Sequence, residues 1–130
     1  MIKVDNLSKF YGDFEAVKSI SYKLNDGEVV GFLGANGAGK STTLKVMTGY
    51  LSPTSGTVYV NDMDILHDTH EIQKQIGYLP ELNPLYGEMR VYDLLEFVAK
   101  IRNISGKAFK NSLERVVEQC GLKGVIHKNI

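Results

Sequence analysis

Residues Gly34 to Thr42 read G-A-N-G-A-G-K-S-T, a complete match to the phosphate-loop pattern G-x-x-x-x-G-K-[ST]. Such a loop is workable in one local setting, a strand that feeds a glycine turn which in turn opens a helix. The glycines let backbone N–H groups converge on an anion, and the helix N-terminus adds a dipole of the matching sign. The flanks supply that setting. Glu28-Val29-Val30-Gly31-Phe32-Leu33 is a short apolar run rich in β-formers, and Thr42 to Thr48 reads as helix. Gly34, Asn36, Gly37, Ala38, Gly39, Lys40, Ser41 and Thr42 are therefore the candidate cradle for a nucleoside triphosphate. Lys40 reaches toward the β- and γ-phosphates, and Ser41 offers Mg²⁺ a hydroxyl ligand, since that hard ion prefers oxygen. Without such a ligand, the same stretch would be a glycine turn capped by Ser41.

The remaining sequence builds an α/β frame around this loop. Ile2 to Leu7 and Ala16 to Leu24 alternate as half-buried strands, Asn25-Asp26-Gly27 turns into the Glu28 strand, and Thr57 to Val60 is a further strand. The loop strand is thus expected third, behind an antiparallel pair. Leu51 to Gly56 reads as a connection, Asp68 to Gln75 as a short helix, and Ile76 to Leu79 as a buried strand ended by Pro80. Two amphipathic helices follow. Val91, Leu94, Leu95, Val98 and Ile101 form one stripe, and Leu113, Val116, Val117 and Cys120 another, with Ser105 as N-cap and Gly121 as C′ residue of the second helix.

Composition narrows the class. The 130 residues are 43% hydrophobic, enough for a real core, and 15 basic residues balance 15 acidic ones. That balance gives no electrostatic footprint for nucleic acid. Cys120 stands alone, which excludes an internal disulfide and suits a reducing compartment; a small buried residue at a helix end is its expected role. The start carries no signal-peptide pattern, and no apolar run approaches the roughly 18 residues of a membrane span, so a cytoplasmic chain is expected. His67 and His70 could share a helical face, but no further ligand joins them as a metal site.

With these residues in place the chain resembles the ABC-type ATPases, the nucleotide-binding subunits of ABC transporters. The resemblance rests on Val4-Asp5-Asn6-Leu7-Ser8-Lys9-Phe10-Tyr11-Gly12, the G-x-N-G-A-G-K-S-T loop, Leu51-Ser52-Pro53-Thr54-Ser55-Gly56 and Ile76-Gly77-Tyr78-Leu79-Pro80. It implies a P-loop NTPase core with an antiparallel β-subdomain and the start of a helical subdomain. It also implies ATP with Mg²⁺ as ligands, and Tyr11 stacked on the adenine ring, a contact tolerant of base identity. On its own residues, Tyr11 reads equally as an aromatic at a strand end. Where the family has its Q-loop glutamine this chain has Glu81, which also offers oxygen to the metal or to an attacking water but adds a charge. The stretch Gly77 to Glu81, with Asn83-Pro84-Leu85-Tyr86, resembles the drug-exporter and gliding-motility branch.

The family's signature sequence, Walker B strand, catalytic glutamate and switch histidine do not occur among residues 1–130. Asp62 follows a strand too soon after Lys40 to be the Walker B aspartate, Ser105-Gly106-Lys107 fits a helix start, and His127 lacks the elements that precede a switch histidine. The resemblance therefore implies a truncated nucleotide-binding domain, with an apolar sheet edge beside the loop strand, that binds nucleotide without hydrolysing it alone. Expected partners are a transmembrane permease subunit, faced by the region from Glu81 through Arg102, and a second nucleotide-binding domain with ATP at the interface. The subunit would sit peripherally on the cytoplasmic face of the membrane. Two other readings compete: a soluble ABC-type ATPase of translation or DNA repair, and a small P-loop kinase. For the kinase, Arg90, Arg102 and Arg115 would have to stand in for a lid arginine cluster.

Overall fold

The computed structural model describes residues 1–83 and 85–130. Pro84, one of the residues carrying the resemblance to the exporter branch, lies outside them. The chain divides into two compact units, Met1–Leu79 and Pro80–Ile130.

The first unit is organised by two long strands, β1 (Ile2–Tyr11) and β2 (Phe14–Leu24), paired antiparallel from Ile2↔Leu24 to Tyr11↔Phe14. Strict alternation would send Leu7 to the opposite face from Val4, yet both are fully buried. The reason is an irregularity between them. Asn6 takes a positive φ of 47°, the register shifts there, and Leu7 is turned back into the core. Ser19 does the same on β2 with φ 41°. Each irregularity is satisfied by a serine of the other strand: the Asn6 N–H donates to Ser21 Oγ at 2.8 Å and the Ser19 N–H to Ser8 Oγ at 2.9 Å.

Strand β3 (Ser55–Val60) adds to the other edge of β1, and β4 (Met63–Asp64) to β3, so the sheet order is β2-β1-β3-β4 and every pairing is antiparallel. Asn61 and Asp62 join β3 to β4, both with positive φ (49° and 65°), the conformation that tight hairpin turns demand. Asp62 is thus a turn residue. Helices α1 (Lys40–Met47) and α2 (Thr69–Gln75) complete the unit. Val4, Leu7, Val17, Val46, Met47, Val58, Val60, Ile65 and Ile72 form its core.

Three sequence expectations fail. Residues 28–33 form no strand and lie outside the sheet, with Val29 fully exposed and Leu33 94% exposed. The run therefore is not the third strand: β-propensity alone cannot hold a strand that has no ladder partner. Val30 and Phe32 instead line an apolar groove of about 380 Å³ with Tyr22, Leu44 and Met47. Residues 76–79 likewise form no strand, and Leu79 is 79% exposed for the same reason. Cys120 is exposed at the end of its helix, not buried.

The second unit holds α3 (Val91–Ile101), α4 (Gly106–Gln119) and a short 3-10 turn at Leu122–Gly124. Ser105 is the N-cap of α4, and Gly121 follows its C-cap with φ 65°, both as expected from sequence. Tyr92 and Phe109 pack edge to face across the helix pair at 6.1 Å. The last residues tie back to the start of α3: the Val91 N–H donates to the Lys128 carbonyl and the Tyr92 N–H to the Ile126 carbonyl, filling donors that a helix start leaves open.

Candidate functional site

The turn that launches the loop is stapled by Asn25, whose backbone N–H and side-chain amide both donate to the Glu28 carboxylate, at 2.7 and 2.9 Å. Those hydrogen bonds from Asn25 hold the Glu28 carboxyl below its usual range. From residue 34 the chain runs as an exposed loop until Lys40 starts α1.

Gly37 and Gly39 adopt φ values of 82° and 80°. At Gly39 glycine is required twice over, because a Cβ there would also meet the Ala16 carbonyl oxygen at 2.3 Å. This close approach seats the loop end on β2. Ala16 lies two positions along β2 from Phe14, the register partner of Tyr11, a distance of about 7 Å at the rise of an antiparallel strand. The β1–β2 hairpin thus brings the end carrying Tyr11 and the end of the phosphate loop into one neighbourhood.

Gly39 is the N-cap of α1 and supplies no side-chain cap, so the first-turn N–H groups of the helix lack the partner a serine or aspartate would provide. The first ladder bond closes behind them, from the Thr43 N–H to the Gly39 carbonyl at 2.8 Å, reinforced by Thr43 Oγ1 at 2.9 Å. Lys40 is half-buried, and its Nζ donates to the Gly34 and Ala35 carbonyls, each at 2.7 Å, bridging the two ends of the loop. Ser41 is exposed and Thr42 half-buried at the helix start, while Asn36, Gly37 and Ala38 are exposed. Amide N–H groups, an ammonium and two hydroxyls, with no carboxylate anywhere from Gly34 to Thr42, make a donor set suited to a polyphosphate anion.

Tyr11 ends β1 and is 47% exposed. Glu81 is exposed at the start of the second unit, whereas all the other candidate residues belong to the first. Two neighbours of the site were not evident in the sequence: Ala16, which backs Gly39, and Lys9, whose Nζ lies 5.5 Å from the centroid of the Tyr11 ring. The i, i+2 spacing of Lys9 and Tyr11, which places both on one face of a strand, was the available signal for the second.

A glycine loop with left-handed turns leading into an uncapped helix start, lysine and serine at its first positions, defines a P-loop nucleotide-binding protein of the α/β class. Residues 17–130 match the family model described as ABC transporter. The chain belongs to the ABC transporter family.

It is 37% identical over 125 residues to the probable multidrug ABC transporter ATP-binding protein YbhF of Escherichia coli, a match spanning 96% of this chain and 22% of that protein. Over 130 residues it is 36% identical to the uncharacterized ABC transporter ATP-binding protein YxlF of Bacillus subtilis, spanning 100% of this chain and 42% of that protein. Among solved structures, cbiO1 from Clostridium perfringens, described as part of the ABC transporter complex cbiONQ, superposes with a TM-score of 0.81 at 27% identity, over 98% of this chain and 53% of that one. The chain thus spans less than half the length of these curated relatives. None of these matches lends support to a metabolite kinase or to a soluble translation or repair factor. Among the described residues, no helix is long and apolar enough to cross a membrane.

Proposed function

We propose that residues 1–130 are the Walker A and Q-loop part of an ABC-type nucleotide-binding domain, which in the whole protein couples ATP binding and hydrolysis to transport across a membrane. The observation that carries this reading is the phosphate loop itself, with its uncapped α1 start and Lys40 poised over it. Backbone N–H groups of the loop and first helical turn hold the β- and γ-phosphates of ATP. Lys40 exchanges its two carbonyl partners for phosphate oxygens, and Ser41 ligates Mg²⁺. Tyr11 stacks on the adenine ring, and Glu81 offers its carboxylate to the metal or to the attacking water.

The names of the relatives support transport as the coupled process. A transmembrane permease subunit is the proposed partner, together with a second nucleotide-binding domain that shares ATP across the interface. The subunit works peripherally, on the cytoplasmic face of the membrane, without a nucleic acid partner. By itself this chain binds Mg²⁺-ATP without steady hydrolysis.

Calorimetric titration of the chain with Mg²⁺-ATP, beside Lys40→Ala and an EDTA control, tests the reading. Saturable, metal-dependent binding that weakens at least about tenfold in Lys40→Ala is expected, the loss of roughly one strong charge-assisted contact. Equal binding by both proteins, or a steady phosphate release that Lys40→Ala abolishes, would overturn the corresponding part of it.

A further inference from the structure

We propose that Lys9 is a positioning residue for the nucleotide base, acting through Tyr11. The inference rests on the reading of Tyr11 as the base-stacking residue and concerns what holds that ring in place.

Tyr11 is the last residue of β1, followed by Gly12 with φ 57° and by Asp13 in a tight turn, so the backbone beyond it lends the ring little support. Lys9 precedes it by two positions on the same strand face. Its Nζ stands 5.5 Å from the Tyr11 ring centroid, within the range of a cation–π contact. What distinguishes this lysine from a loose surface cation is its second anchor. The same Nζ donates to the Ser52 carbonyl at 2.8 Å, across to the connection between α1 and β3.

That connection is itself latched to the end of β1 by two bonds. The Thr54 N–H donates to the Ser8 carbonyl at 2.9 Å, and the Phe10 N–H to Thr54 Oγ1 at 3.0 Å. The ammonium is therefore fixed from the far side by a carbonyl whose own position is fixed, and it covers one side of the ring. A flat ring has two faces. Lys9 holds one, and Tyr11 as a residue is still 47% exposed; the other face is assigned to a purine.

A cation on one face of the phenol ring also draws its π-electron density toward itself, which strengthens attraction to an electron-rich purine on the opposite face. The geometry thus assigns Lys9 two linked effects, orientation of the ring and polarisation of it. Neither acts on the phosphates.

The test is a comparison of ligands with and without a base. Affinities for Mg²⁺-ATP and for inorganic tripolyphosphate with Mg²⁺ are measured by calorimetry on the unaltered protein and on Lys9→Met, Lys9→Arg, Tyr11→Ala and the Lys9→Met/Tyr11→Ala pair. Circular dichroism of each variant checks that the sheet is formed. Lys9→Met should weaken ATP binding about two- to fivefold, the range of one partly exposed cation–π contact, and leave tripolyphosphate unchanged. Lys9→Arg should restore ATP binding, because a guanidinium also stacks on the ring. In the Tyr11→Ala background the Lys9→Met effect should vanish.

Equal loss for both ligands, or a loss that persists without Tyr11, would make Lys9 a phosphate contact or a fold element and overturn the proposal. No loss in Lys9→Met would overturn it as well. If Tyr11→Ala binds ATP as the unaltered protein does, the base-stacking reading fails and the role of Lys9 falls with it. If tripolyphosphate does not bind and Lys40→Ala changes nothing for ATP, the phosphate-loop reading is what fails.

Discussion

The units Met1–Leu79 and Pro80–Ile130 carry comparable apolar patterns and bury them very differently. In the first, the three longer strands and helices α1 and α2 enclose a cluster from Val4 to Ile72, most of it almost completely removed from solvent. In the second, α3 and α4 are both amphipathic, yet no described residue is fully buried; Phe97 and Val98 stay substantially exposed and Ile101 is 63% exposed. A sheet that packs helices on one face closes a core inside its own unit, whereas two helices meeting along one seam cover only the residues at that seam. Amphipathic spacing tells which face turns inward, and the number of layers tells how far inward it goes.

Substitutions in the two units should separate them further. Gly39→Ala puts a Cβ onto the Ala16 carbonyl oxygen in a left-handed conformation, so a loss of about 4 kcal/mol is expected from strain and overlap together, read by urea unfolding, with nucleotide binding lost alongside. Leu7→Ala empties a fully buried position in the first unit and should cost about 3 kcal/mol in the same measurement. Ile101→Ser in the second unit should stay within about 0.5 kcal/mol, and a cost matching that of Leu7→Ala would end the distinction between the units.

The smallest effect concerns the start of α3. The hydrogen bonds from Arg90, at 2.7 and 3.0 Å, lower the Asp93 carboxyl below its ordinary value, at a half-buried surface position. A depressed carboxylate contributes stability that is present above its unfolded pKa and is lost as pH falls through the folded one. The helical signal should therefore be flat with respect to this pair at neutral pH and dip slightly below about pH 3.9, a dip absent in Asp93→Asn. Far-UV circular dichroism during acid titration of both proteins checks this; a dip at neutral pH would contradict it.

Much of the candidate site is legible in the order of residues, because its requirements are local. The left-handed turns at Gly37 and Gly39 and a helix directly behind the loop, which begins at Lys40, two residues ahead of the Thr42 start read from sequence, follow from covalent geometry and short-range hydrogen bonding. The same holds for the Ser105 start and Gly121 end of α4. Where the pattern misleads, the outcome depends on partners distant in sequence. The apolar run at 28–33 has the composition of a strand, but a strand exists only in a ladder, and none of the four strands of the sheet pairs with it. Alternation along Ile2 to Leu7 marks a strand correctly, yet the buried position of Leu7 depends on the break at Asn6 that Ser21 stabilises from the neighbouring strand.

That this chain carries the phosphate-loop pattern and which family it belongs to both follow from residue order, since a local motif needs only its own backbone to be recognised. Packing in three dimensions was needed to set β1 between β2 and β3, to back Gly39 with Ala16, and to stretch Lys9 from the Ser52 carbonyl to the Tyr11 ring. Those contacts join residues as far apart as Ile2 and Val60, and pairings of that kind are selected by the packing of the whole unit rather than by the preferences of any one segment.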